Sequence, residues 1–136
     1  MNSEFERTAL LLGDEAMERL YAASVAVFGV GGVGGYAVEA LARCGVGKIT
    51  LIDSDAVSVS NINRQIIATT KTVGRLKVEV AKERILEINP KAEVEIYPIF
   101  YSAETAGNFN LSSYDYIVDA IDSVKSKLLL IKNAKD

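Results

Sequence analysis

Val25-Ala-Val-Phe-Gly29-Val-Gly31-Gly32-Val-Gly34 is the stretch on which the fold turns. Its apolar opening is a short run that the glycines stop abruptly, which reads as a buried strand. The six residues from Gly29 match GxGxxG, and the helical spacing of Val38, Leu41 and Ala42 starts directly behind them. Glycines at such a turn let backbone approach phosphate closely, and the first turn of the following helix aims unpaired N–H groups at it. The helix reads from Gly34 to Cys44 and ends at Gly45–Gly47. Lys48-Ile-Thr-Leu-Ile52 then reads as a second buried strand, closed by Asp53, 19 residues after Gly34. A carboxylate in that position accepts hydrogen bonds from ribose hydroxyls.

Working outward, Asp55 to Gly74 shows no sustained period, and a connection of that length is more often a functional loop than filler. From Gly74 to Asn89 the helical period returns, with Val78, Ala81, Ile85 and Ile88 on one face and Glu79, Lys82, Glu83 and Glu87 largely opposite. Glu93 to Phe100 reads as a third strand, Tyr114 to Ile121 as a fourth, and Ser123 opens a further helix. Before the glycine stretch, residues from Asn2 to Ala23 read as a helical arm, with Leu10 to Leu12 ahead of Gly13 and Ala16, Met17 and Leu20 after it. Strands alternating with helices imply an α/β chain with a parallel sheet and right-handed crossovers. With a nucleotide-binding first turn, the expectation is a Rossmann-like sheet in the order 3-2-1-4. The division that follows is an arm over 1–23 and a nucleotide-binding domain over 24–136.

Composition bounds the chemistry. The 136 residues, 49% hydrophobic, suit one domain. There is no histidine, which removes histidine triads, Cys-His dyads and histidine-ligated metal sites. A single cysteine, Cys44, rules out an internal disulfide and points to a cytoplasmic protein. Near the end of its helix, Cys44 reads as a small buried hydrophobe, and Tyr97, Tyr101, Tyr114 and Tyr116 as packing residues. The net charge is −3, yet Ala56 to Val78 holds no acidic residue and carries Arg64, Lys71, Arg75 and Lys77. A basic segment within an acidic chain suits a compact polyanion. Leu20 to Val38 is free of charge, but five glycines from Gly29 to Gly35 favour strand, turn and helix over a membrane span.

The glycine fingerprint by default fits NAD or FAD, which carry a pyrophosphate. Arg64 and Lys77 flank the long loop, and Asp122 follows the fourth strand at its carboxyl end, where it could hold Mg²⁺. A third phosphate needs that extra positive charge and a dinucleotide does not. The alternative is that Arg64 and Lys77 are solvated and Asp122 caps the helix beside it.

Taken together, GVGGVG, Asp53 and Asp55 in LIDSD, Asn61-Ile-Asn63-Arg64-Gln65, Gly74-Arg-Leu-Lys77 and Asp119-Ala-Ile-Asp122 resemble the ThiF/MoeB/HesA superfamily of adenylating enzymes, relatives of the ubiquitin-activating enzyme. NINRQI and DAIDSVKSK look most like its tRNA threonylcarbamoyladenosine dehydratase branch, although Ile67 stands where that branch often carries His. The resemblance implies that Gly29, Gly31, Gly32 and Gly34 hold the phosphates of ATP and Asp53 its ribose. Asp55 would shape the pocket, Asn61, Arg64 and Lys77 would contact the triphosphate with Gln65 nearby, and Asp122 would bind Mg²⁺. Arg7 resembles the arginine that such enzymes insert into the partner subunit's ATP site, so a homodimer is implied. Members of the dehydratase branch use ATP to activate the carboxylate of a modified adenosine beside the anticodon, and loss of AMP then closes that group to a cyclic form. Other branches adenylate the C-terminus of a ubiquitin-like sulfur carrier, and a non-catalytic NAD-binding module is a third possibility. Family members are roughly twice as long, which implies the N-terminal portion of such an enzyme.

Overall fold

Each apolar run pairs with a neighbour that runs the same way, because every connection between strands is a helix or a long crossover. The computed structural model describes residues 5–135. Its strands are β1 (Ser24–Phe28), β2 (Lys48–Ile52), β3 (Glu93–Tyr97) and β4 (Tyr116–Asp119), all parallel and in the expected order β3-β2-β1-β4. The register sets Phe28 beside both Ile52 and Asp119, and Ile52 beside Tyr97, so the four carboxyl ends share one edge.

Side chains alternate across the sheet. Val25, Val27, Ile49 and Leu51 face α3 (Gly32–Cys44) and α4 (Lys77–Ile88), where Val38, Ala42, Val78, Ala81 and Ile85 complete one core. Ala26, Phe28 and Ile52 face the other way, against Tyr101, Phe109 and Leu130 of α5 (Val124–Lys135). Phe28 and Tyr101 meet edge to face, with ring centroids 5.1 Å apart.

The long connection after β2 is ordered at its neck. Ala56 bridges Leu76, the Val57 N–H donates to the Arg75 carbonyl at 2.8 Å, and a 3-10 turn occupies Val59–Asn61. Val57, Ile67 and Ala68 anchor the loop in the core.

Several boundaries differ from the sequence reading. The arm is two helices, α1 (Glu6–Leu12) and α2 (Asp14–Ala22), broken at Gly13, and residues 2–4 of the expected arm lie outside the described residues. Helix α3 begins at Gly32, because the glycines form its first turn despite their low propensity. Strand β3 stops at Tyr97, since Pro98 has no N–H to donate to a ladder. Cys44 is exposed, not buried: as the last residue of α3 it falls on the outer side of the face that buries Ala42 and Val38. Tyr116 is likewise not a packing residue; at the start of the edge strand β4 it is 71% exposed. Among the described residues no helix is long and apolar enough to cross a membrane, and Leu20–Val38 divides among the end of α2, β1 and the start of α3.

The turn into α3 tolerates no side chain at its third fingerprint glycine. A Cβ on Gly34 would stand 1.7 Å from the Gly29 carbonyl oxygen, whereas one on Gly107 would meet nothing within 4 Å. Gly34→Ala is therefore expected to lower unfolding stability by roughly 3 kcal/mol, and Gly107→Ala to change it by less than about 0.5 kcal/mol. Urea unfolding midpoints compare the two, and equal midpoints would contradict the close approach.

Candidate nucleotide site

The shared carboxyl edge of the sheet opens into a pocket of about 410 Å³. Its floor is the glycine turn. Gly29 has φ 97°, and a Cβ there would lie 2.4 Å from the Ala120 carbonyl oxygen, so the turn sits directly against the exit of β4. Gly31 and Gly32 line the pocket, while Gly34 lies behind it against Gly29.

Asp53 ties this turn to the exit of β2. Its carboxylate accepts the Val30 N–H at 2.8 Å through Oδ2 and the Asp55 N–H at 2.7 Å through Oδ1. A carboxylate offers about four acceptor positions, so two remain for a ligand's hydroxyls. Asp55 also lines the pocket, and its carbonyl accepts the N–H of Lys77, the first residue of α4, at 3.0 Å.

Lys77 is 6% exposed and lines the pocket, yet its ammonium has no hydrogen-bond or ion-pair partner among the described residues. An ammonium that lines a pocket and has no protein partner among the described residues suits an anion there. Three arginines in or beside the helical layer of α3 and α4 are already committed. Arg75 pairs with Glu83, raising the guanidinium and lowering the carboxyl through their mutual hydrogen bonds. Arg84 of α4 donates two hydrogen bonds to Glu39 of α3, at 3.0 and 2.7 Å, and Arg43 donates two more.

Asp122 lines the pocket, is exposed, and has no partner among the described residues. It does not cap α5: the Ser123 hydroxyl accepts the Ser126 N–H instead, at 3.4 Å. The remaining expected residues lie outside the lining. Arg64 is exposed and donates to the Ser60 carbonyl at 2.8 Å and to Asn63 Oδ1 at 3.1 Å. Asn61 is buried, and its Oδ1 accepts the Ser58 N–H at 2.8 Å, closing a turn. Gln65 packs under the glycine turn, its Nε2 3.5 Å from where a Cβ on Gly31 would stand, and its Oε1 is buried without a partner. Arg7 is exposed on α1.

Among the lining residues to which sequence reasoning gave no role in the site are Asp119, Lys127 and the segment Ile99–Phe100–Tyr101. Pro98 was the available signal for the last, since it ends β3 and turns the chain over the edge.

A model of the ThiF family matches residues 5–135. The chain belongs to the ThiF family. A tRNA threonylcarbamoyladenosine dehydratase of Bacillus subtilis is 47% identical over 132 residues, covering 97% of this chain and 52% of that protein. A sulfur carrier protein adenylyltransferase of Thermus thermophilus is 40% identical over 119 residues, covering 88% of this chain and 44% of that protein. A crystal structure of Escherichia coli tRNA N6-threonylcarbamoyladenosine dehydratase in complex with ATP matches with a TM-score of 0.94 at 45% identity, over 97% of this chain and 54% of that one. This ThiF-family chain thus spans about half the length of the curated relatives it matches.

The Glu39–Arg84 contact holds α4, which begins at Lys77, against α3, which begins in the glycine turn. The hydrogen bonds from Arg84 hold the Glu39 carboxyl below its ordinary value. A depressed carboxyl stabilises the fold above its unfolded pKa near 4.5, and that stabilisation is lost as pH falls through the folded value. With Arg84 partly exposed, Glu39→Gln is expected to cost less than about 1 kcal/mol at pH 7 and to flatten the acid limb of stability against pH. An unchanged acid limb in unfolding titrations would assign that limb to other groups.

Proposed function

We propose that this ThiF-family chain is the nucleotide-binding portion of an enzyme that uses ATP to adenylate a carboxylate, of the tRNA threonylcarbamoyladenosine dehydratase type. In this reading residues 1–23 form an arm and 24–136 the ATP domain. The observation that carries it is Lys77, a buried residue whose ammonium has no partner among the described residues and lines the same pocket as the glycine turn and the Asp122 carboxylate. A dinucleotide's pyrophosphate would be served by the turn alone; a triphosphate accounts for the further cation. The higher identity to the dehydratases than to the carrier adenylyltransferase favours the tRNA substrate over a ubiquitin-like sulfur carrier, which stands as the second reading.

In the reaction a carboxylate oxygen bonds to the α-phosphorus, the bond from that phosphorus to the bridging oxygen breaks, and pyrophosphate departs with the electron pair. The nucleophile is already ionised at neutral pH, so a chain without histidine lacks nothing for this step. The obstacle is repulsion between anions. N–H groups at the start of α3 and the Lys77 ammonium lower it, and Asp53 orients the ribose. Asp122 fits a Mg²⁺ ligand, because its carboxylate is free and Mg²⁺ is ordinarily bound through one or two carboxylates together with phosphate oxygens and waters. No group of three or more potential ligands occurs among the described residues, which suits that mode rather than a cage built by the protein. When bound, the ion supplies charge neutralisation to the phosphates.

Arg64 is held only by two uncharged acceptors on the surface, so it is free to turn towards the phosphates when they arrive. Arg7, outside this pocket, is assigned to the pocket of a second copy in a homodimer. A lone unpaired thiol agrees with a cytoplasmic setting.

Calorimetry with ATP·Mg²⁺ against NAD tests the reading. The chain is expected to bind the triphosphate, and Lys77→Ala to weaken that binding about 10- to 100-fold while leaving adenosine affinity within about twofold. Binding of NAD with no response to ATP would reject adenylation. ATP–pyrophosphate exchange stimulated by modified tRNA supports the dehydratase assignment; stimulation by a carrier protein alone would transfer it to the second reading.

A further inference from the structure

Four carboxylates, Asp53, Asp55, Asp119 and Asp122, line the pocket against two ammonium groups, Lys77 and Lys127. A polyanion enters such a lining only if the carboxylates nearest the phosphates are neutralised or turned to use. Asp53 is spent on two backbone N–H groups, and Asp122 is free. Asp55 is exposed to solvent, and Asp119 is half-buried. It ends β4 in register with Phe28, so it stands beside the residue that precedes the glycine turn. Among the described residues, only the Ile121 N–H, at 3.3 Å, and Lys127 engage its carboxylate.

Lys127 reaches back from the start of α5. Its Nζ lies 3.1 Å from Asp119 Oδ1 and donates to the Asp119 backbone carbonyl at 3.4 Å. An ion pair linking a helix to a strand is ordinarily worth little on a surface. This one lies in the lining of a pocket that must take several negative charges, and it holds both the side chain and the backbone at the start of the turn Asp119–Asp122.

Resting on the ATP reading above, we infer that Lys127 is a positioning residue that cancels the Asp119 charge beside the glycine turn and steadies the turn presenting Asp122, so that a polyphosphate is admitted. Removing the ammonium leaves an uncompensated carboxylate facing the phosphates; removing both charges restores neutrality. The prediction is therefore a rescue of ATP affinity with adenosine affinity unmoved throughout, whereas a merely structural pair would move both ligands together.

ATP·Mg²⁺ and adenosine are titrated by calorimetry into the unchanged chain and into the K127Q, K127R, D119N and D119N/K127Q variants. Lys127→Gln is expected to weaken ATP·Mg²⁺ binding about tenfold or more with adenosine changed less than about twofold. The double variant is expected to regain affinity to within about threefold of the unchanged chain, and K127R, which keeps the charge, to stay equally close. Unchanged ATP binding in K127Q, parallel loss of adenosine, or failure of Asp119→Asn to rescue would each overturn the inference while leaving the ATP reading intact. If K127Q does not fold, K127R and the double variant decide: ATP affinity reduced tenfold in both would overturn it. An unchanged chain that binds no ATP·Mg²⁺ would overturn the reading and this inference together.

Discussion

The carboxylate of Asp53 joins two chain segments that would otherwise end separately at the sheet edge. By accepting N–H groups from Val30 and Asp55, it fixes the glycine turn relative to the exit of β2. Everything else at the edge is referred to that join. Gly34 closes against the Gly29 carbonyl, and Gly29 closes against Ala120 at the exit of β4. The Asp55 carbonyl in turn receives the N–H of Lys77 and starts α4. Three strand exits and two helix starts are thus set by short contacts among Gly29, Val30, Gly34, Asp53, Asp55, Lys77 and Ala120, so a small displacement in one is felt in all.

The electrostatics follow from the same geometry. A parallel sheet with helices on both faces directs helix N-termini to its carboxyl edge, which gives a positive field at the glycine turn. The side chains divide into those spent within the fold and those left to a ligand. Arg43, Arg75 and Arg84 are tied to glutamates away from the pocket, while Lys77 is buried within it and unpaired. The acidic side is divided likewise, with Asp53 and Asp119 engaged and Asp122 free. An overall charge of −3 is therefore compatible with a site for a polyanion, because charge placement rather than net charge sets the local potential.

The strands β1 and β2 and the order of the sheet were legible because buried parallel strands are short apolar runs and glycine punctuation marks their ends. The edge strands were less so. Pro98 shortens β3, and β4 is half-exposed, so its ends carry little pattern. The first turn of α3 was hidden because glycine is a poor helix former, and only the need for a close turn places it there. In the site, Gly29, Gly31, Gly32, Asp53, Asp55, Lys77 and Asp122 do line one pocket, as motif order implies. Asn61 and Gln65 instead support the loop and the turn from below, since both side chains are buried away from the lining. Lys127 was illegible as a site residue: its contact with Asp119 depends on where α5 crosses β4, which no local spacing encodes.

The central claim is that one adenine nucleotide lies with its phosphates on the glycine turn and against Lys77. Amide chemical shifts of the ¹⁵N-labelled chain, followed during titration with ATP·Mg²⁺ and with NAD, test it most directly. The account predicts the largest ATP-induced changes at Val30 to Gly34 and at Lys77 and Asp122, absent at the latter two with NAD. Changes confined to other surfaces, or the same pattern with both nucleotides, would contradict it.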